Sequence, residues 1–562
     1  MYRTHTCNGL TGKDEGQRVK LAGWIHNLRS HGNITFVDLR DRHGVTQIVV
    51  NDSSDLKKES VIRIEGEVKK RPQVNKDLPT GEIEVHISSL EIINKSETLP
   101  LDIEKTNDSN TRMKYRYLDL RNKDSFKGLI LRHKVKKAAH DYFNEHNFLE
   151  LETPMLVKST PEGARDYVVP SRVNKGKFYA LPQSPQLYKQ LLMIAGADRY
   201  YQVARALRDE DLRADRQPEH TQLDFEMSFV ESDEIRTFVE GLMKHIFKQA
   251  LDVELEDFET FTFEEALNRF GSDKPDIRFG FELKDVTSIA KETDFKIFQE
   301  AESVNAIVFP EKLSRKEIDE LTELAKIHGA KGLAYAYVEN GLESGISKFL
   351  KEKEKDIIEK TGAEENNTVL FVADKWREAR EVLGQIRIWI RDKLNLVKSN
   401  EFKFCWVTDF PLFVYDEDEG RWEPEHHMFS MPKKEWLDKL EESPGEVKAD
   451  LFDLALNGWE LGSGSMRVSN PDLQRRIMNI IGLSEEEAKE KFGFLLDAYK
   501  YGGPEHGGMG LGLDRIVALM NETPDIREVI AFPKNKHAEN PMDGSPGVVS
   551  KEQLDDLGLK LK

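Results

Sequence analysis

Gln222-Leu223-Asp224-Phe225-Glu226-Met227-Ser228-Phe229-Val230 alternates polar with apolar residues. Side chains alternate across a strand, so one face of this segment is apolar. The other face carries two carboxylates and two neutral polar groups. By itself such a row is most simply a water-facing surface. It would suit an ammonium group or a metal ion equally well.

The neighbouring segments add charge. Upstream, Arg208 and Glu210 are two residues apart and would share a face of a strand, just before the charged loop Asp211–Arg216. An arginine fork fits phosphate oxygens, although a surface ion pair is the plainer reading of the two residues. Further upstream, Ser184 can cap a helix with Pro185 at its first position. Gln186 and Lys189 would then lie on one face near the helix start, with Leu187 and Leu191 toward the core; alone, Lys189 reads as exposed. Downstream, Gly507-Gly508-Met509-Gly510-Leu511-Gly512-Leu513-Asp514-Arg515 leads into a helix carrying Leu513, Ile516, Val517 and Met520 on one face. Glycine lets a backbone approach a ring or phosphate closely, and Arg515 would sit in the first helical turn. No Lys-Ser/Thr pair follows, so this is not a Walker loop. In Gly458-Trp459-Glu460-Leu461-Gly462-Ser463-Gly464-Ser465-Met466-Arg467, the residues Glu460 and Arg467 are seven apart. They reach one site only if Gly462 and Gly464 allow a bend. The adjacent His426 and His427 seldom share a metal by themselves, so no histidine-based metal site is expected.

The 562 residues imply about three or four domains. Hydrophobic residues make up 38% and charged residues 33%, as in a soluble protein with a substantial core. A net charge of −19 argues against a generic nucleic-acid coat. It leaves room for an enzyme whose basic residues gather on one face. Cys7 and Cys405 fit neither a disulfide framework nor a zinc spacing. The polar start cannot be a signal-peptide core, and no apolar run reaches the ~20 residues that span a bilayer. A cytoplasmic protein without a membrane partner is expected.

Residues 1–100 contain five β-rich runs, Val19–Leu28, Ile34–Leu39, Gly44–Val50, Val61–Val68 and Glu82–Ile93, separated by turn clusters. They fit a small closed barrel of the oligonucleotide-binding kind; a β-sandwich fragment is the alternative. A polar link follows, then a helix with Leu131, Val135, Ala138 and Tyr142 at helical spacing. Residues 285–400 are rich in Lys and Glu, with helical patterns at Arg315–His328 and Lys375–Leu394 and strands at Ala306–Phe309 and Val369–Val372. This is an inserted α+β unit. Strand alternation returns at Phe402, Phe404 and Trp406, and the polar residues after about 535 are expected on the surface.

Taken together, Phe148–Pro154, Arg208-Asp209-Glu210 and Gly508–Arg515 resemble the three signature motifs of class II aminoacyl-tRNA synthetases, in order and kind. Thr160-Pro161-Glu162-Gly163-Ala164, Gln183-Ser184-Pro185-Gln186, Asp209–Glu219 and Gly458–Arg467 resemble the bacterial-type aspartyl-tRNA synthetases, and the likeness runs over nearly the whole chain. The resemblance implies an α+β architecture. An anticodon-binding OB-type barrel would occupy 1–100 and a linker 101–135. An antiparallel-sheet catalytic domain would be built from 136–284 and 401–562, interrupted by the insertion at 285–400. It implies a symmetric homodimer formed through the first motif.

The resemblance also implies roles. ATP and aspartate would form aspartyl-adenylate, and the amino acid would pass to the 3′ end of tRNA(Asp), with tRNA(Asn) as an open second acceptor. Arg208 would bridge the α-phosphate and the attacking carboxylate, and Arg515 would hold the γ-phosphate. Asp209, Glu210, Gln217, Glu460 and the Gly512-Leu513-Asp514 backbone would fix the nucleotide. Asp453 and Glu460 would bind Mg²⁺. Lys189 and Arg467 would take the aspartate side chain, with His426 or His427 closing the pocket. Glu162, Gln186 and Asp224 would hold the α-ammonium. In the barrel, Arg29, Phe36, Gln47 and Glu91 would meet the anticodon. Departures from the family pattern are Leu207 before Arg208, Met428 and Ser430 after the histidines, and Ser463 between two glycines. None removes a charge that the chemistry needs. An asparagine or lysine enzyme on the same fold and a non-catalytic tRNA-binding relative are the rival readings.

Overall fold

The computed structural model describes every residue except 33, 52–54, 106, 161–163 and 562. The chain forms two compact units, Met1–Asn107 and Asp108–Lys562.

The first unit is a closed five-stranded barrel of β1 (Arg18–His31), β2 (Ile34–Asp41), β3 (Gly44–Val50), β4 (Val61–Lys70) and β5 (Ile83–Asn94), ordered β1-β2-β3-β5-β4. Closure pairs β3 in parallel with β5 and leaves neither edge open. Val19, Leu21, Ile25, Val37, Leu39, Ile48, Ile62, Ile64 and Val85 fill its interior.

The second unit is organised by an eight-stranded sheet. Its strands are β6 (Leu149–Glu150), β7 (Arg199–Leu207), β8 (Glu219–Ser228), β9 (Glu259–Thr262), β10 (Phe404–Thr408), β11 (Leu451–Leu456), β12 (Trp459–Met466) and β13 (His506–Gly512). They lie in the order β9-β10-β11-β12-β13-β8-β7-β6. The six central strands are antiparallel and the two edge pairs parallel, so the sheet is mixed, where an antiparallel one was expected. Leu223, Phe225, Met227, Met509, Leu511, Phe452 and Leu454 face α1 (Lys123–Glu145) and a second long helix at Ser232–Leu251 in one apolar core. Helix α1 runs through position 135, where the linker was read to end.

A separate five-stranded sheet of Lys284–Asp285, Ser303–Phe309, Thr368–Asp374, Ala334–Val338 and Leu342–Glu343 forms the inserted unit. Helices at Arg315–Ile327 and Trp376–Lys393 cover it.

Candidate active site

The polar row of β8 lies on the sheet face away from that core. Its neighbour β13 presents Gly508, Gly510 and Gly512 opposite Glu226, Asp224 and Gln222. These glycines make room for the acids. A Cβ on Gly508 would fall 2.2 Å from Glu226 Oε2 and 2.1 Å from the Phe225 carbonyl, and one on Gly510 would fall 3.3 Å from Asp224 Oδ2. Gly508→Ala is therefore expected to destabilise the fold by roughly 1–3 kcal/mol through overpacking and to impair amino-acid activation; thermal melting together with the exchange assay described below checks this.

On the other side of β13, β12 continues the same face with Ser463, Ser465 and, just past the strand, Arg467. The pairing of β12 with β11 skips Leu461: Gly462 is opposite Leu454, and Glu460 is opposite Ala455. This bulge shifts the alternation by one residue and turns Glu460 to the side of Arg467. The device is thus a bulge at Leu461 rather than a bend at Gly462 and Gly464.

Four charges form a buried cluster at the floor. Glu226 is 0% exposed, Lys189 1%, Asp224 2% and Arg467 4%. Arg467 donates from Nε to Glu226 Oε1 at 2.8 Å and from Nη2 to Oε2 at 3.3 Å. Its Nη2 also donates to the Gly508 carbonyl, and Nη1 to Ser465 Oγ at 2.7 Å and toward His427 Nε2 at 3.1 Å. Lys189 Nζ lies 3.0 Å from Asp224 and 3.2 Å from Glu226. Burial pushes the Glu226 carboxyl upward, but Arg467 and Lys189 outweigh it and bring the group down to about 2. The less well paired Asp224 is raised by its burial. Burial, with Arg467 beside it, holds His427 well below its usual range and neutral.

Buried polar atoms normally have partners. Here Gln186 Nε2, Gln222 Oε1, Asp224 Oδ1 and Asp453 Oδ1 have none among the described residues. Gln186, Gln222 and Asp224 all line one cleft of about 940 Å³. Two free acceptors and a free amide donor beside two cations form a surface ready for a small zwitterion with an anionic side chain.

The same cleft is lined farther along by Arg208, Glu210, Gln217, His220, Glu460, Gly512 and Arg515. Among the described residues Arg208 donates only to the Gln183 carbonyl, at a long 3.4 Å. Arg515 lies in the first turn of the helix Leu513–Met520 and bonds the Glu460 carbonyl at 2.7 Å and Asp215 at 3.1 Å. Burial, then Arg208 and Arg515, depresses His220 to about 3, so a neutral ring faces the cleft. Two arginines at this end suit an anion, and Arg208, Arg467 and Arg515 share one cavity.

Asp453, paired across from Ser463, is raised by burial, with Glu460 adding to it, to about 7. A buried carboxylate with an unpartnered oxygen and a second acid nearby suits a hard cation such as Mg²⁺. Among the described residues no three His, Cys, Asp or Glu converge, so such an ion would take most of its oxygens from elsewhere. His426 lies 3.2 Å from Ser463 Oγ and 3.9 Å from Asp453, whereas His427 meets Arg467. The two histidines thus face different parts of the site.

Several expectations need correction. β7 ends at Leu207, so Arg208 and Glu210 sit on the loop after it rather than on a strand. Pro185 takes the N-cap position of the helix Gln186–Ile194 without a side-chain bond, and Ser184, one residue earlier, accepts the Gln186 N–H at 3.3 Å. Lys189 is buried, not exposed. Asp209 is not part of the cleft lining; its backbone N–H bonds the Arg165 carbonyl. The Asp514 carboxylate is taken by Arg132 and the Thr221 N–H, and Leu513 is buried in the core outside the cleft lining, which includes Gly512 and Asp514. The Gln217 amide pairs with the backbone of Lys534. Glu162 lies outside the described residues. Sequence reasoning did not select Glu226, Gln222, Ser465 or His220, although the first two stand in the alternating row itself.

In the barrel, Arg29 pairs across from Phe36, and Asp38 across from Gln47, on one face. Phe36 is half-buried outside the barrel core, beside the His31 ring at 6.3 Å. Arg29 bonds Asp38, and Gln47 donates to Glu84. Glu91 stands seven residues along β5 from Glu84, in a surface pair with Arg63.

A family profile described as class II tRNA synthetases (D, K and N) matches residues 108–536, and one described as an OB-fold nucleic acid binding domain matches 19–93. The chain is 50% identical to an aspartate–tRNA(Asp/Asn) ligase of Treponema denticola, over all of this chain and 99% of that one. It is 48% identical to an aspartate–tRNA(Asp/Asn) ligase of Caldanaerobacter subterraneus, over 100% and 98%. It is also 48% identical to an aspartate–tRNA ligase of Ruminiclostridium cellulolyticum, again over 100% and 98%. Among solved structures, an asparaginyl-tRNA synthetase of Pyrococcus horikoshii shares the fold with a TM-score of 0.59 at 18% identity, covering 95% of this chain and 98% of its own.

Proposed function

This chain belongs to the class II tRNA synthetases of the D, K and N group, and on that premise we propose that it is an aspartate–tRNA ligase that activates aspartate with ATP and charges both tRNA(Asp) and tRNA(Asn). The observation that carries the amino-acid assignment is the buried Lys189–Arg467 pair with unpartnered acceptors beside it. The names of the Treponema and Caldanaerobacter relatives support the second tRNA.

In the proposed reaction the α-ammonium of aspartate is held by Asp224 Oδ1 and Gln222 Oε1. Gln186 Nε2 meets its α-carboxylate. The side-chain carboxylate must find donors on Arg467, four of whose N–H groups are taken by Glu226, Ser465 and the Gly508 carbonyl while the fifth faces His427. His427 is the partner it can displace. The Phe429 N–H points at Nδ1 at 3.3 Å and Arg467 at Nε2; a neutral imidazole cannot accept at both nitrogens. With Nδ1 accepting from Phe429, Nε2 carries hydrogen and turns to donate to the incoming carboxylate, which takes its place on Arg467. Arg208 lies between the two anions that must meet, the α-carboxylate and the α-phosphate, and stabilises charge building at phosphorus. Arg515 holds the far phosphate, and Glu210 and the Gly512–Asp514 backbone orient the nucleotide. Asp453 and Glu460 would hold Mg²⁺, which when bound neutralises phosphate charge. Little proton transfer is needed, so positioning supplies most of the acceleration.

The ligase acts as a symmetric homodimer. Leu149, Met155 and Leu156, around the first motif, are 53%, 43% and 51% exposed, an apolar surface suited to a second copy. No helix among the described residues is long and apolar enough to cross a membrane, in keeping with work in the cytoplasm.

The test is ATP–pyrophosphate exchange by the purified protein with aspartate, asparagine and lysine in turn. Aspartate should lead; faster exchange with either of the others would overturn the amino-acid assignment. Charging of purified tRNA(Asp) and tRNA(Asn) side by side tests the acceptor assignment, and the proposal requires both to be esterified. Phe36→Ala should cut tRNA charging by about 10-fold or more, as expected for loss of one base-stacking platform, and leave exchange unchanged. Equal losses in both assays would make Phe36 structural.

A further inference from the structure

His506 is 0% exposed and sits directly behind Arg467, whose backbone N–H donates to the His506 carbonyl at 2.9 Å. Neither the signature motifs nor the reaction above uses it. Its ring begins a buried chain of polar contacts. Nδ1 lies 2.9 Å from the Pro504 carbonyl, which can only accept, so Nδ1 carries a hydrogen. Nε2 lies 3.1 Å from Tyr499 Oη, on the helix Glu485–Tyr499. Tyr499 Oη lies 2.6 Å from Gln190 Oε1. The Gln190 amide is oriented by its Nε2, which donates to the Gln186 carbonyl at 3.3 Å. The chain therefore ends on the residue whose own amide opens into the amino-acid pocket.

Hydrogen counting shows that the chain is one proton short when His506 is neutral. The single phenolic hydrogen of Tyr499 faces two acceptors, Gln190 Oε1 and His506 Nε2. A hydrogen on Nε2 completes every link: His506 donates to Tyr499, Tyr499 to Gln190, and Gln190 to Gln186. The charged groups facing His506 are Glu226 from β8, Arg467 beyond β12 and Lys189 from the helix Gln186–Ile194. Burial keeps the imidazole neutral in the free protein, with Glu226 working in the opposite direction. The pocket charges, Lys189 and Arg467 against Asp224 and Glu226, sum to zero without a ligand. An acidic side chain adds one negative charge to these four.

We propose that binding of the aspartate side chain is coupled to uptake of one solvent proton at Nε2 of His506, so that His506, with Tyr499 and Gln190, is a positioning group that matches the charge of the pocket to an acidic ligand. This rests on the aspartate reading given above. Asparagine brings no charge and recruits no proton. The added proton favours the aspartate complex at low pH, and the advantage fades as pH rises through the bound-state pKa of His506. Discrimination against asparagine should then weaken as well.

The experiment is aspartate-dependent ATP–pyrophosphate exchange by the full-length protein from about pH 6 to about pH 9, bracketing the histidine range. For the wild type, KM for aspartate should rise by up to about tenfold per pH unit, the limit for one proton, and level off once pH passes the bound-state pKa of His506, while kcat changes far less. In His506→Gln the KM should be raised at neutral pH and should lose this slope, with kcat within about twofold, since no reacting atom is touched. Tyr499→Phe, which keeps the ring and removes the acceptor of the new proton, should lose the slope likewise and serves if the His506 variant does not fold. A wild-type KM that is flat with pH, or a slope that survives in both variants, overturns the inference. Absence of aspartate-dependent exchange in the wild type would instead overturn the aspartate reading.

Discussion

Arg467→Lys is expected to lower kcat/KM for aspartate in the exchange assay by at least about 10³-fold, because a site built on matched polar groups loses most when they go unpaired. The exchange is not conservative here. A lysine has three donors on a point charge, whereas four guanidinium N–H groups are engaged on Glu226, Ser465 and the Gly508 carbonyl, two of them in a fork on Glu226. Glu226 is 0% exposed and would keep only Lys189 as a full partner. Removing the charge entirely, in Arg467→Ala, should therefore also cost roughly 3–5 kcal/mol of stability, the usual penalty for stranding one member of a buried pair. Thermal melting alongside exchange separates the two effects: the lysine variant should fail mainly in activity, the alanine variant in both. An Arg467→Lys protein with near-normal aspartate activation would show that the side-chain carboxylate is held elsewhere.

Arg208→Ala is expected to abolish adenylate formation, by about 10³–10⁵-fold, the range for an arginine that neutralises charge in phosphoryl transfer. Its effect on folding should be small, because among the described residues the guanidinium makes only the long bond to the Gln183 carbonyl. Binding of tRNA should survive, since the barrel is untouched. Exchange retained within about tenfold of wild type would exclude Arg208 from the role assigned to it.

The contrast between these two arginines shows what the amino-acid sequence could and could not reveal. The five barrel strands were legible almost residue for residue. Val19–Leu28, for example, falls inside Arg18–His31, because period-two alternation is a local signal that a closed barrel obeys everywhere. The row Gln222–Ser228 was legible for the same reason. Which row was wet and which was a binding floor was not, because that depends on glycines about 285 residues away that leave room for the acids. Lys189 read as exposed because its partners lie 35 and 37 residues on, at Asp224 and Glu226. The Glu226–Arg467 pair spans 241 residues. The bulge at Leu461, which brings Glu460 round to the side of Arg467, is a matter of strand pairing and leaves no mark in composition. Motif resemblance pointed to Arg208, Arg467 and Arg515, which line one cavity; the buried ion pairs of Lys189 and Arg467 required the fold.

One cavity must receive a nucleotide phosphate at Arg208 and an acidic side chain at Arg467 for the proposed chemistry to occur. The most direct measurement is a crystal structure with a non-hydrolysable aspartyl-adenylate analogue. The ligand's side-chain carboxylate should lie within hydrogen-bond distance of Arg467 and Lys189, in the place vacated by His427 on Arg467 Nη1, with the phosphate-mimicking group on Arg208. A complex in which His427 still caps Arg467 while the ligand's carboxylate rests elsewhere would contradict it.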